Sequence, residues 1–280
     1  MREVAWDKIV EAVAACCIEA NCCLNPDVEE ALRTAGESEI TETGCSVLSC
    51  LLENAFIARE ERVAICQDTG MAVVFVTLGQ EVHISGGLLT SAIDEGVRRG
   101  YAEGFLRKSV VDDPLLRRNT GDNTPAVIHL SLVAGDVLQI DLSPKGFGSE
   151  NMSALAMLKP SDGVEGVRRF VLDTVDKAGA NPCPPIVVGV GLGGTMEKAA
   201  LMAKHALLRP LDRHHPLPHL RELETELLEE INRLGIGPAG LGGKTTALCV
   251  HVESYPTHIA GLPVAVNISC HVTRHASVML

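Results

Sequence analysis

The sequence predicts a mixed α/β (α+β) protein, with an N-terminal helical region over residues 1–62 and an α/β region over residues 63–280 in which mixed sheets are flanked by helices. Three observations predict it. Apolar residues recur at helical spacing through the first sixty positions. After Arg62 the pattern changes to β-branched and apolar runs broken by polar turns. The segment Asn181-Pro182-Cys183-Pro184-Pro185 then feeds directly into the strand-like run Ile186 to Val190. A chain of 280 residues can bury a sizeable core, as one large domain or two smaller ones.

From Trp6 to Cys23, Ile9, Val10, Val13, Ala14, Cys17 and Ile18 recur at helical spacing, with Asp7 as the cap. Asn25-Pro26-Asp27 reads as the cap and first-turn proline of a second helix ending near Gly36, and Thr43 to Glu61 as a third. Val63-Ala64-Ile65 and Met71 to Leu78 read as strands, interrupted by the polar turn Gln67-Asp68-Thr69-Gly70. Leu88 to Gly104 is helical in pattern. The polar stretch Arg107 to Thr124 is too long for an idle connection and reads as a functional loop. Pro125 to Val133 and Val137 to Leu142 read as a hairpin turning at Ala134-Gly135-Asp136. Ser161 is the expected cap of a helix running to Ala178, and a helix from Thr195 to Leu208 follows the Ile186 strand. A Pro/His-rich connector, Arg209 to His219, leads to an acidic amphipathic helix, Leu220 to Leu234. The glycine-rich loop Gly235 to Gly243 then precedes strands Thr245 to Val252 and Val264 to Ile268.

A net charge of -12 argues against a nucleic-acid partner, which needs a clustered basic face, and 3% aromatic residues leave no stacking platform for single strands. An anionic small molecule can still be held where a few arginines converge, with Arg107-Lys108 and Arg117-Arg118 as candidates. The expectation is no membrane partner, because charge, Gly or Pro interrupts each long apolar run before about 20 residues. The first seven residues lack the basic start and apolar core of a signal peptide, so the ten cysteines are expected to be reduced thiols in the cytoplasm.

Cys183 sits among three prolines, each of which locks its own φ and restricts its neighbour, so the thiol is aimed before anything binds. Cys66, in Ile65-Cys66-Gln67-Asp68-Thr69-Gly70, and Cys270, in Ile268-Ser269-Cys270-His271, are similarly placed at polar turns. Their wide separation matches no compact metal motif, and isolated cysteines also serve as small buried apolar residues. Cys16, Cys17, Cys22 and Cys23 fall within or at the end of a helix and read as packing residues, as do Cys45, Cys50 and Cys249. His258 and His271 are candidate proton carriers or structural hydrogen-bonding residues. Gly189-x-Gly191-x-x-Gly194 matches the dinucleotide fingerprint in its glycines, which raises a nicotinamide-binding protein as an outside alternative. The second strand and acid of that motif are missing, so the glycines read instead as close backbone packing or an anion-binding helix start.

Taken together, Cys66-Gln67-Asp68-Thr69-Gly70, the stretch Arg107 to Ala126 with Asn119-Thr120-Gly121-Asp122-Asn123-Thr124-Pro125-Ala126, Lys145-Gly146-Phe147-Gly148-Ser149-Glu150-Asn151, Asn181-Pro182-Cys183-Pro184-Pro185 and the stretch from His258 through Cys270 resemble the class I, iron-sulfur fumarate hydratases. The resemblance runs in order over most of the chain, with the L-tartrate dehydratase α subunit as the alternative within the family. Phe147 stands where many relatives have a further glycine. Because the chain ends at Leu280, before the second catalytic domain of single-chain members, the resemblance is to the α subunit of the two-subunit form.

The resemblance implies a fold like the N-terminal domain of that family, with residues 1–280 as one cluster-binding catalytic domain. It implies a [4Fe-4S] cluster held by Cys66, Cys183 and Cys270, with one iron open to substrate as a Lewis acid. It implies Gln67 and Asp68 at the substrate, Arg107 paired with a carboxylate, and Gly148 supplying backbone contact, with Asp68 in a catalytic role. An Asx-turn residue and a surface charge are the structural readings of Asp68 and Arg107. His258 is added either as a residue supporting those that touch the substrate or as a proton-transfer residue. The implied reaction is reversible hydration of fumarate to (S)-malate, or L-tartrate dehydration. The implied partners are the dicarboxylate and a fumarate hydratase β subunit, in an α2β2 assembly.

Overall fold

Ile9, Val10, Val13 and Cys17 are buried on one face of the first helix, as their spacing requires. In the computed structural model, which describes residues 2–280, this helix, α1 (Trp6–Cys22), belongs to the first of two compact units. That unit comprises Met1–Leu24, Ala55–Phe147 and Arg274–Leu280, and the second comprises Asn25–Asn54 and Gly148–Thr273. The helical N-terminus is therefore not a body of its own. Helix α2 (Pro26–Ser38) lies in the second unit, and the division falls inside α3 (Glu42–Glu61).

The first unit is a four-stranded sheet covered by two helices. A short strand β1 (Arg2–Ala5) precedes α1. Strands β2 (Met71–Gly79) and β3 (Val82–Ser85) precede α4 (Leu89–Glu103), and β4 (Val127–Val133) and β5 (Leu138–Lys145) follow it. The closing strand, given its chain-order label β10 (Ala276–Met279), completes the order β10-β5-β2-β4, and β1 pairs with β3 in a separate two-stranded sheet. Glycines let the helices meet closely: a Cβ on Gly96 would lie 2.6 Å from that of Val13, and one on Gly100 2.7 Å from that of Cys17. Cys17 is thus a packing residue, as are Val74, Ile93, Tyr101 and Ile140 in the same core.

Two expectations fail here. Residues 63–65 form no strand; Ile65 is buried and donates its N–H to the Asn21 carbonyl. Strands β4 and β5 are no hairpin, because β2 lies between them, parallel to β4 and antiparallel to β5. The apolar alternation is correct, but a central strand contributed from earlier in the chain satisfies both neighbours. Within Trp6–Ser38 an 18-residue window of mean hydropathy 1.3 is long and apolar enough by length and composition to cross a membrane. Trp6–Ser38 is interrupted at residues 23–25, and the face of α1 is buried in the core.

The second unit contains a sheet of order β6-β9-β7-β8. A short helix α5 (Phe147–Glu150) leads to β6 (Ala154–Leu158), a 3-10 turn (Pro160–Asp162) and α6 (Gly163–Ala178). Next come β7 (Ile186–Gly193), α7 (Met196–Ala206), α8 (Pro218–Arg233), β8 (Ala247–Tyr255) and β9 (Leu262–Ser269). Ser161 falls within the 3-10 turn rather than at the cap of α6, a position taken by Asp162, whose carboxylate accepts the Lys159 N–H at 2.8 Å. Gly189 and Gly191 lie against α7: added Cβ atoms would sit 2.0 Å from the carbonyls of Ala203 and Ala199. The helix fills the space above these glycines, so they serve close packing and leave no room there for a pyrophosphate.

The loop before β8 is fixed by a buried carboxylate. Both Glu39 oxygens accept the Lys244 N–H at 3.0 Å, and further bonds come from Ile40, Thr41 and Thr245. Burial raises the Glu39 carboxyl, but these backbone donors outweigh it and hold it below the usual range. A Cβ on Gly243 would meet a Glu39 oxygen at 2.7 Å, which accounts for one glycine of the loop.

Candidate functional site

In the first unit, sheet register places the candidate residues at one end. Strand β2 starts just after the Cys66–Gly70 turn, and its Met71 pairs with Lys145 at the end of antiparallel β5. Strand β4, parallel to β2, starts just after the 107–124 loop, and β10, antiparallel to β5, starts just after Arg274. The turn, that loop, residues 146–147 and Arg274 therefore share one sheet end.

The Cys66–Gly70 turn is held by side chains. Asp68 Oδ1 accepts the Gly70 N–H at 3.0 Å, closing an Asx turn, and Oδ2 accepts the Phe147 N–H at 2.8 Å. The Tyr101 hydroxyl donates to the Thr69 carbonyl at 2.6 Å; burial raises its pKa far above the ordinary value. Asn123, fully buried with φ 64°, donates to the Gly70 carbonyl at 3.2 Å and accepts the Ser109 N–H at 2.7 Å, tying loop to turn. The Thr69 hydroxyl donates to the Arg107 carbonyl at 2.9 Å. Gly70, at φ +71°, could carry no Cβ, which would lie 2.7 Å from the Lys145 backbone.

On this frame Cys66 is half-buried, its Sγ accepting the Asp68 N–H at 3.4 Å, and Gln67 is exposed with Oε1 3.5 Å from that sulfur. Arg107 has its carbonyl fixed and its side chain exposed. The 107–124 loop is ordered by its own bonds, among them Asp112 N–H to the Arg118 carbonyl at 2.8 Å and Asn119 to the Lys108 carbonyl at 2.9 Å.

In the second unit Cys183 and Cys270 also share a sheet end, since Cys183 precedes β7 and Cys270 follows antiparallel β9, where Val187 pairs with Ser269. The carbonyl of Cys183 accepts the His271 N–H at 3.3 Å and lies 3.0 Å from His271 Nδ1, which as the protonated nitrogen donates to it. His271 thus links the two cysteine turns. Cys183 is exposed and takes φ +56°, left-handed backbone costing on the order of 1–2 kcal/mol for a residue with a Cβ, while its proline neighbours are buried. Gly148 lies beside the same turn: a Cβ there would be 3.8 Å from the Asn181 carbonyl. Glu150 pairs with Lys204 and accepts from Asn267 at 2.9 Å, pinning that segment to β9.

His258 stands elsewhere in this unit, exposed on the turn after β8, accepting the Ala260 N–H at 3.2 Å. It borders a groove of about 820 Å³ lined by Val164, Val167, Leu192 and Leu223.

The donor chemistry of the cysteines suits a thiolate-bound group. All ten are free. Burial raises Cys16 to about 11 and Cys249 to about 12, and raises Cys17 and Cys22 as well. Burial followed by Glu19 raises Cys23 to about 11. These five remain thiols. Cys66 and Cys270 are half-buried and Cys183 is exposed, each on a sheet-end turn. In neither unit, among the described residues, do three or more His, Cys, Asp or Glu side chains form a metal site by themselves.

Reading the residues missed Tyr101, Arg274 and the bonding role of His271. Tyr101 looks like any apolar residue of an amphipathic helix, and Arg274 belongs to no motif. Only the adjacency of His271 to Cys270 was a signal.

An α/β protein with free cysteines on polar, sheet-end turns is the class defined so far, and sequence comparison makes it specific. The pattern of the family described as Fumarate hydratase (Fumerase) matches residues 10–279. A Methanocaldococcus jannaschii protein provisionally named L(+)-tartrate dehydratase subunit alpha is 45% identical over 275 residues, covering 96% of each chain. The L(+)-tartrate dehydratase subunit alpha of Escherichia coli K12 is 32% identical over 282 residues, covering 100% of this chain and 93% of its own. The chain belongs to the fumarate hydratase (Fumerase) family, a family of hydro-lyases.

Proposed function

We propose that this chain is the cytoplasmic α subunit of an iron-sulfur hydro-lyase that hydrates fumarate reversibly to (S)-malate, its two units acting as one catalytic domain with a β subunit in an α2β2 assembly. The family match over residues 10–279 carries this reading. Dehydration of L-tartrate is the second reading, favoured by the names of the relatives just described. The two substrate pairs differ by one hydroxyl, which a few polar contacts can distinguish.

In this reading Cys66, Cys183 and Cys270 hold a [4Fe-4S] cluster, which when bound supplies an iron without a cysteine ligand as a Lewis acid toward the substrate hydroxyl. The chain's own residues do the rest. Arg107, fixed through its backbone with its guanidinium in solvent, pairs with one substrate carboxylate in the bidentate manner that a lysine cannot reproduce. Gln67 orients the substrate beside Cys66, and Gly148 offers backbone contact next to the Cys183 turn. Asp68 has both carboxylate oxygens engaged by backbone N–H groups, so it acts at the site as a fixed anion that positions the proton-transfer machinery. His258, by its exposure, serves proton exchange with solvent. The second carboxylate of a dicarboxylate has no partner assigned among these residues; an unmatched buried charge costs several kcal/mol, so the β subunit supplies it.

The test is anaerobic co-purification with the β subunit, followed by assays with fumarate, (S)-malate and L-tartrate. Turnover of fumarate and malate by the pair, with little by the α chain alone, is expected. Turnover of tartrate only would establish the second reading, and full activity of the α chain alone would contradict the shared site.

A further inference from the structure

Arg274 is 4% exposed, yet it carries a permanent charge. Its Nη2 donates to the Asp68 carbonyl at 2.7 Å, and its own carbonyl accepts the Ser143 hydroxyl of β5 at 3.0 Å. Its Nε is buried with no hydrogen-bond partner among the described residues, which is unfavourable for any N–H and more so for a charged group. The bond to Asp68 sets it directly against the turn that bears Cys66.

A buried guanidinium that leaves one donor unfilled is not the cheapest way to stabilise a core; an apolar side chain of similar volume would do as well or better. The bond it does make is specific, to the backbone two residues from Cys66 and within the residue whose carboxylate closes the turn. We infer that Arg274 is a positioning residue, whose bond to the Asp68 carbonyl holds the Cys66-Gln67-Asp68 turn in the geometry the site needs. Ser143 fixes its main chain, so β5 and the approach to β10 supply the rigid support, and the guanidinium transmits it to the turn. This rests on the proposed role of that turn, but the clamp itself can be measured without it.

The experiment is hydrogen-deuterium exchange by mass spectrometry on the full α chain, comparing wild type, Arg274→Gln and Arg274→Lys. Gln is too short to reach the carbonyl, and Lys can restore one donor. In Arg274→Gln, peptides spanning residues 66–70 should exchange about tenfold faster while those from β7 and α7 keep wild-type rates, and Arg274→Lys should recover much of the protection. Wild-type exchange at 66–70 in Arg274→Gln, or acceleration spread evenly over the chain, would overturn the inference. Should Arg274→Gln not fold, Ser143→Ala reads the same peptides: selective acceleration supports the clamp and unchanged exchange rejects it. With the β subunit, Arg274→Gln should lower kcat about tenfold and change KM less than about twofold. Iron and sulfide content of the wild type reports separately on the cluster. A wild type without either, together with selective acceleration, would remove the proposed function and leave the clamp standing.

Discussion

The turns bearing Cys66 and Cys183 are held by different means. In the Cys66 turn the left-handed position falls to a glycine, Gly70, and the shape otherwise comes from Asp68, Tyr101, Asn123 and Arg274, each donating or accepting at a turn residue. Around Cys183 the constraint lies in the chain itself: buried prolines on both sides and a left-handed residue, with the carbonyl tied to His271. The first design is a network, which fails when one member is removed; the second distributes its constraint over covalent rings. Single substitutions should therefore loosen the Cys66 turn more than the Cys183 turn.

The largest effect is expected from Gly70→Ala, which needs left-handed backbone and drives a Cβ into the Lys145 main chain. A loss of about 3 kcal/mol or more in urea unfolding, with displacement of the Cys66 turn, is the expected outcome.

Acid separates the two units next. His251 is 1% exposed, accepts from Arg209 Nε at 3.0 Å and lies beside Cys249; burial, then the Arg209 charge, lowers it to about 3. Arg209 also pairs with buried Glu224. The folded state keeps His251 neutral, whereas the unfolded state takes up a proton below about 6.5. Its contribution is therefore fully present above pH 6.5 and falls by about 1.4 kcal/mol per pH unit as pH drops toward 3. In the first unit, burial raises Asp122, but Thr124 and Arg98 outweigh it and bring it to about 2. That contribution is present above the ordinary carboxylate value near 3.8 and is lost only below it. Urea midpoints measured from pH 7 to pH 4 should fall, and in His251→Gln the fall should be shallower; identical slopes would contradict this.

Tyr101→Phe should cost about 1–3 kcal/mol, because the buried Thr69 carbonyl loses its donor, and the thermal midpoint of the first unit should drop. Pro182→Ala, on the other turn, should cost only about 0.4–1 kcal/mol, through added freedom of the unfolded chain. If the proline change proved the more damaging, the contrast between the turns would be reversed.

The sequence made the periodic elements plain, because α1, α4, α8 and strands β7 and β9 follow the spacing of their apolar residues. It could not show that β2 separates β4 from β5, since adjacency in the chain favours a hairpin and only long-range pairing decides otherwise. The polar turns were visible as motifs, and so were Cys66, Cys183 and Cys270. What holds those turns was not, because Tyr101 and Arg274 act across the fold and leave no local pattern.

The central claim is that three cysteines on differently built turns hold one cluster. It is tested most directly by iron and acid-labile sulfide content after anaerobic purification of the wild type, Cys66→Ser, Cys183→Ser, Cys270→Ser and, as an exposed control on α3, Cys45→Ser. Each of the three changes should abolish the full cluster while Cys45→Ser retains it; full iron and sulfide in any of the three would contradict the account.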